Sequence, residues 1–159
     1  MIVPAIIYKD EILKKLSEYK YTDDMMYYSG WLGDRLPEIQ SDSDGNRYQF
    51  AIVDKDKLIG YFTYNIDWYS RCMSQFGLFS FDRGNAIIGF DVRKELKKAI
   101  QEYHIHRIEW RMIEGNHAER SYDNFCNNYW GNKIILEDVF KDKYGNYHNV
   151  VIYEIVFNN

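Results

Sequence analysis

A chain of 159 residues, 46% hydrophobic and 28% charged, is long enough for one globular domain (residues 1–159) with a core of its own. Its formal net charge of −4 argues against a protein that grips nucleic acid mainly by charge. Cys72 and Cys126 form no CxxC or Cys/His cluster, and no signal peptide or long apolar span is legible. A disulfide framework, a zinc site and a membrane partner are therefore not expected, and a cytoplasmic setting is.

The first stretch in chain order, IVPAII (residues 2–7), reads as a short strand. YKDEILKKLSEY (8–19) puts Ile12, Leu13, Leu16 and Tyr19 on one face and predicts a helix. TDDMMYYSGW (22–31) predicts a second, short helix capped by Thr22 or Asp23. QSDSDGNR (40–47) is polar and turn-rich, a surface loop within the domain. RYQFAIVDKDKLIGYFTYNI (47–66) predicts two strands joined by the tight DKDK turn, and SQFGLFSF (74–81) a third. A glycine-containing loop follows. The next helix is expected from about Asp91 to Tyr103, where Val92, Leu96, Ala99, Ile100 and Tyr103 recur at helical spacing.

HRIEWRMI (106–113) alternates, with Ile108, Trp110 and Met112 pointing one way and Arg107, Glu109 and Arg111 the other. NHAERSYDNFCNNY (116–129) carries an apolar stripe of Ala118, Tyr122, Phe125, Cys126 and Tyr129. Asn116 and Glu119 have the spacing of an N-cap and its capping-box partner. KIILEDVFKDKYGNYHNVVIYEIVF (133–157) closes the chain as two strands around a YGN turn. The expected fold class is α+β: a central mixed, mostly antiparallel sheet of six to seven strands flanked by helices. The strands at 76–81 and 107–113 should lie parallel, because a helix crosses between them, and should splay to open a cleft.

This order, and the residues within it, resemble the GNAT acetyltransferase superfamily, best from Arg47 to Phe157. The resemblance rests on FGLFSFDRGNAIIGFDVRKELKKAI, on RIEWRMIEGN and on NHAERSYDNFCNNYWGN. The family's Arg-and-glycine signature is matched in part by DRGNAIIG: Arg83, Gly84 and Gly89 are present at a different spacing. Asn116 resembles the family's Asn before the last helix. Tyr122 resembles its helix tyrosine, about one residue nearer that Asn.

The resemblance implies an N-acetyltransferase that moves acetyl from acetyl-CoA to a primary amine of a small molecule or peptide, leaving CoA. Backbone N–H groups around Phe79 and Phe81 would hold the acyl carbonyl. Arg83, Gly84, Asn85, Ala86 and Gly89, at a helix start, would hold the pyrophosphate, because free amides there favour anions. Asn116 would add a cofactor contact, unless its capping role is all it does. Tyr122 would protonate the departing thiolate, or else be a core tyrosine. Glu109 is the candidate base, with Glu114 behind it; a solvated ion pair with the flanking arginines is the plainer reading. Asp67 reads as turn chemistry, and His104 and His106 as joint residues. The partners that follow are acetyl-CoA and an amine-bearing acceptor, with room for a homodimer; neither nucleic acid nor a metal is among them. The irregular AII within the loop keeps a second class open, a GNAT-like module that binds partners without transferring acyl groups.

Overall fold

The computed structural model describes residues 1–19, 36–41, 45–142 and 144–157. The helix expected at 22–31 lies outside the described residues. Strand β1 (Ile2–Pro4) leads through a 3-10 turn (Ala5–Tyr8) into α1 (Lys9–Tyr19). Strand β3 (Lys57–Asp67) runs antiparallel to both its neighbours, β2 (Arg47–Asp54) and β4 (Cys72–Ser80). Helix α2 (Ala86–Glu102) crosses to β5 (Arg107–Ile113), and α3 (Glu119–Asn128) precedes the hairpin β6 (Asn132–Lys141) and β7 (Tyr147–Val156). Among the described residues the strands form one seven-stranded sheet in the order β1-β2-β3-β4-β5-β7-β6. Only β4 and β5 pair in parallel, as expected for a crossover. No described helix is long and apolar enough to cross a membrane.

Two apolar layers hold the sheet. On one face Ile12 and Leu16 of α1 pack against Ala51, Val53, Leu58, Tyr61 and Phe79. On the other, Val92, Leu96 and Ala99 of α2 and Phe125 of α3 cover Phe62, Ile108, Trp110 and Tyr153. Cys126 lies in this second layer, and burial raises its thiol pKa above the ordinary value. The β2–β3 turn, Lys55 and Asp56, has φ of 47° and 65°, the left-handed pair that a two-residue hairpin loop demands. At Gly77 the β3 and β4 chains come close. A Cβ there would sit 2.9 Å from Thr63 Cγ2, so glycine lets the strands approach.

Two helix starts differ from the sequence expectation. Helix α2 begins at Ala86, about five residues before Asp91, because Asn85 caps it: its side chain accepts from Ile87 N at 3.0 Å. The buried stripe of Val92 and Leu96 extends one turn back to Ile88. Gly89, read as loop, is helical and exposed, where it interrupts no packing. The residues AII are therefore a first helical turn, not an irregular loop. Helix α3 starts at Glu119, and its Ala118 cap has no side-chain bond. Asn116 instead closes a turn ahead of the helix, with Oδ1 accepting from Ala118 N at 2.8 Å. Glu119 accepts from Gly115 N at 3.0 Å, one residue short of the capping box.

Candidate active site

Strands β4 and β5 set the site. Their register holds for two pairs, Cys72 with Arg107 and Met73 with Ile108, and then ends. Gln75, with φ of 53°, kinks β4 two residues later, and from there β4 diverges from β5. A cleft of about 710 Å³ opens where they part. Its walls are Phe76, Leu78 and Ser80 of β4, Ile108 and Trp110 of β5, the start of α2, and the Asn116–Tyr122 region.

The α2 end of the cleft is a glycine turn flanked by arginines. Gly84 takes φ of +80°, a conformation glycine reaches without strain, and a Cβ there would meet nothing within 4 Å. Arg83 and Gly84 stand exposed at the turn into the helix, and Asn85 and Ala86 follow on the same wall. Arg93 joins the wall one turn on, and its Nε donates to Gly89 O at 3.0 Å. Lys94, Lys97 and Lys98 are exposed further along α2 and do not line the cleft.

The opposite wall carries unanswered donors. Trp110 and Asn116 are each 7% exposed. Trp110 Nε1 and Asn116 Nδ2 are buried without a hydrogen-bond partner among the described residues. Burying an unpaired donor costs about 1–3 kcal/mol, so two beside one cleft suit a ligand that brings acceptor oxygens. Tyr122 packs edge-on against Trp110 and Tyr153, with centroids 6.1 Å from each. Behind it Tyr153 stacks on Trp110 at 4.9 Å and donates to Asp123 Oδ1 at 2.7 Å. Burial, aided by Asp123, raises the Tyr153 phenol above its ordinary range.

The closed end, where β4 and β5 pair, is different. Arg71 O accepts from both His106 N (2.9 Å) and Arg107 N (3.3 Å), and the Arg71 guanidinium lies 5.2 Å from the Trp68 ring. Arg107 donates from Nε to Glu154 at 3.1 Å and pairs with Glu109 at 2.7 Å. The bond to Glu154 raises the guanidinium pKa, and the same bond lowers that of Glu154.

No protein-family model and no curated protein sequence matches the chain. Solved structures do. An N-acetyltransferase from Staphylococcus aureus Mu50 aligns over 98% of this chain and 97% of its own, with a TM-score of 0.73 at 13% identity. A ribosomal-protein-alanine N-acetyltransferase from Brucella melitensis aligns over 99% of both chains, with a TM-score of 0.69 at 14% identity. A probable acetyltransferase aligns at 0.59 and 20% identity over 72% of this chain, which spans 64% of that structure's length. The fold is that of the GNAT acetyltransferases.

Within this GNAT fold, most of the residues singled out from sequence meet in the cleft: Arg83, Gly84, Asn85, Ala86, Gly89, Asn116 and Tyr122 all line it. Three do not. Phe79 and Phe81 face the α1 side, where Phe79 stacks on Tyr61 at 6.2 Å and Phe81 on Tyr19 at 6.0 Å. The N–H of Phe81 donates to Ile59 O at 2.8 Å, away from β5. Alternation then turns the N–H groups of Leu78 and Ser80 toward the open edge, and both residues line the cleft. Strand parity, read against the apolar neighbours, carried that signal in the sequence. Glu109 lies on the sheet face opposite Trp110, bound to Arg107, and is no part of the cleft wall. Glu114 donates nothing to the cleft either; it accepts from Asn149 Nδ2 at 2.9 Å. Asp67 is turn chemistry, accepting from Tyr69 N and Ser70 Oγ, with Ser70 first in holding its carboxyl pKa down. His117, next to Asn116 and on the cleft wall, went unread; adjacency to that Asn was its only mark.

Proposed function

We propose that the chain is an N-acyltransferase that moves the acetyl group of acetyl-CoA to a primary amine. The observation that carries this is the cleft between parting strands, with the Arg83–Gly84 turn into α2 on one wall and the unpaired Trp110 and Asn116 donors on the other. In this reading the turn at Arg83–Ala86 and the exposed start of α2 hold the pyrophosphate. Asn116 Nδ2 supplies a donor to the same ligand. The N–H of Leu78 or Ser80 faces the acyl carbonyl and steadies the charge that develops on its oxygen. Acetyl-CoA supplies the activated thioester. Tyr122 donates its phenolic proton to the departing sulfur.

The amine must lose a proton. Among the described cleft residues His117 carries an imidazole, a side chain with a ring nitrogen able to accept one. His117→Gln is expected to lower kcat by roughly 10²-fold, the scale of losing a general base.

Calorimetric titration with CoA and acetyl-CoA, followed by release of CoA thiol over a panel of amines, tests the proposal. The panel should include spermidine and peptides with N-terminal Ser or Ala, because structural neighbours are named as spermidine and ribosomal-protein N-acetyltransferases. Binding with acceptor-dependent thiol release is the expected result. A chain that binds neither nucleotide would end the reading.

A further inference from the structure

We propose that β6 joins two copies of this chain, antiparallel, about a two-fold axis at Ile135. Among the described residues strand β6 is an edge of the sheet, and all ten of its residues are exposed. Ile134, Ile135, Leu136, Val139 and Phe140 are between 36% and 56% exposed there. A long edge strand with apolar side chains and an unpaired row of N–H and C=O groups is a template for another strand.

The pattern KIILE, Lys133 to Glu137, selects a second copy as the occupant. Register with β7 sets Lys133 opposite Tyr153 and Ile135 opposite Val151, on the helix-covered face; Ile134 and Leu136 take the other face. Antiparallel self-pairing about Ile135 sets Ile135 against itself, Ile134 against Leu136 and Lys133 against Glu137. Each contact is apolar with apolar or opposite in charge, which is the cross-strand pairing that stabilises a sheet. Moving the axis to Glu137 sets that carboxylate against itself. Moving it to Leu136 sets Glu137 against Ile135 and Asp138 against Ile134. Beyond Glu137 the bulge at Asp138, with φ of 53°, ends the matching stretch. A two-fold contact of this kind is closed, so growth stops at two chains.

Light scattering on the eluting protein, over a concentration series, is expected to give twice the 19.2 kDa chain mass. Ile135→Lys, which sets two charges together at the axis, should give the monomer with an unchanged melting curve, because Ile135 is half-exposed. Phe90→Lys, at an exposed site on α2, should leave the dimer whole. In a Cys72→Ser background, Ile135→Cys should form an interchain disulfide on oxidation, since directly opposed Cβ atoms lie roughly 4.5–5.5 Å apart. Val139→Cys should not. A monomer at every concentration, a dimer indifferent to Ile135→Lys, or cross-linking at 139 and not at 135 would each overturn the proposal. Capture of a different protein by β6 with this chain monomeric would overturn it too.

Discussion

The two ends of the β4–β5 pair are made from the same two strands and do opposite things. At the Cys72–Arg107 end the strands are bonded, and Arg107 gathers Glu109, Glu154 and the Cys72 sulfur around it. At the Ser80–Met112 end they part, and the wall between them keeps the Trp110 and Asn116 donors unmatched. One end satisfies its own polar groups and the other does not. The contrast locates function more sharply than the cleft volume does, because polar satisfaction is the usual state of a buried group.

Tyr122→Phe strikes the open end hardest. The ring stays packed against Trp110 and Tyr153, so affinity for acetyl-CoA and the melting temperature should hold. Turnover should fall roughly 10²-fold, in kcat and kcat/KM together, the mark of an interaction made only in the transition state. Normal turnover with lowered stability would move Tyr122 into the core. Gly84→Val comes next. Hydrogen bonds to charged groups are worth about 1.5–3 kcal/mol, so closing the approach to the backbone there should weaken CoA roughly tenfold or more by calorimetry. A side chain at φ of +80° also costs about 1–2 kcal/mol of stability. A variant with unchanged CoA affinity would take the pyrophosphate away from this turn.

Arg107→Met tests the closed end and should show the smallest effect. Arg107 is about one-third exposed, so the loss should be near 1 kcal/mol in chemical denaturation, with CoA binding unaltered. The pH dependence has a definite sign. Arg107 depresses the folded pKa of Glu154, so the pair stabilises the chain above the ordinary glutamate range and less as pH falls through it. Wild type and variant should therefore draw together in stability as pH falls below the ordinary glutamate range, and converge only below the depressed pKa of Glu154. If Arg107→Met instead weakens CoA binding, the two ends are not separate.

The sheet was legible because its signals are local and repeated. The alternation in RIEWRMI, the DKDK turn and the crossover between β4 and β5 each point to one pairing, and together they define the topology. The site was legible in part. Arg83, Gly84, Asn116 and Tyr122 reach the cleft because they sit at element ends that the topology brings together. Glu109 was misplaced because alternation says that two faces differ but not which one bears the cleft. Phe79 and Phe81 failed for the same reason: parity mattered, and Leu78 and Ser80 hold the other phase. The start of α2 was missed because Gly89 reads as a breaker, whereas Asn85 caps the helix four residues before it and Ile88 already faces the core.

The burial of Cys126 bears on how this protein is to be counted at the bench. Its sulfur lies in the core, 3.5 Å from Asn132 O, with its thiolate form disfavoured. Cys72 is the other thiol of the chain and is only partly buried. A native chain should thus titrate as one reactive thiol per molecule and an unfolded one as two. In an assay that scores liberated CoA sulfhydryl, that single equivalent is the fixed blank, and the appearance of a second is a stoichiometric alarm that the protein has come apart.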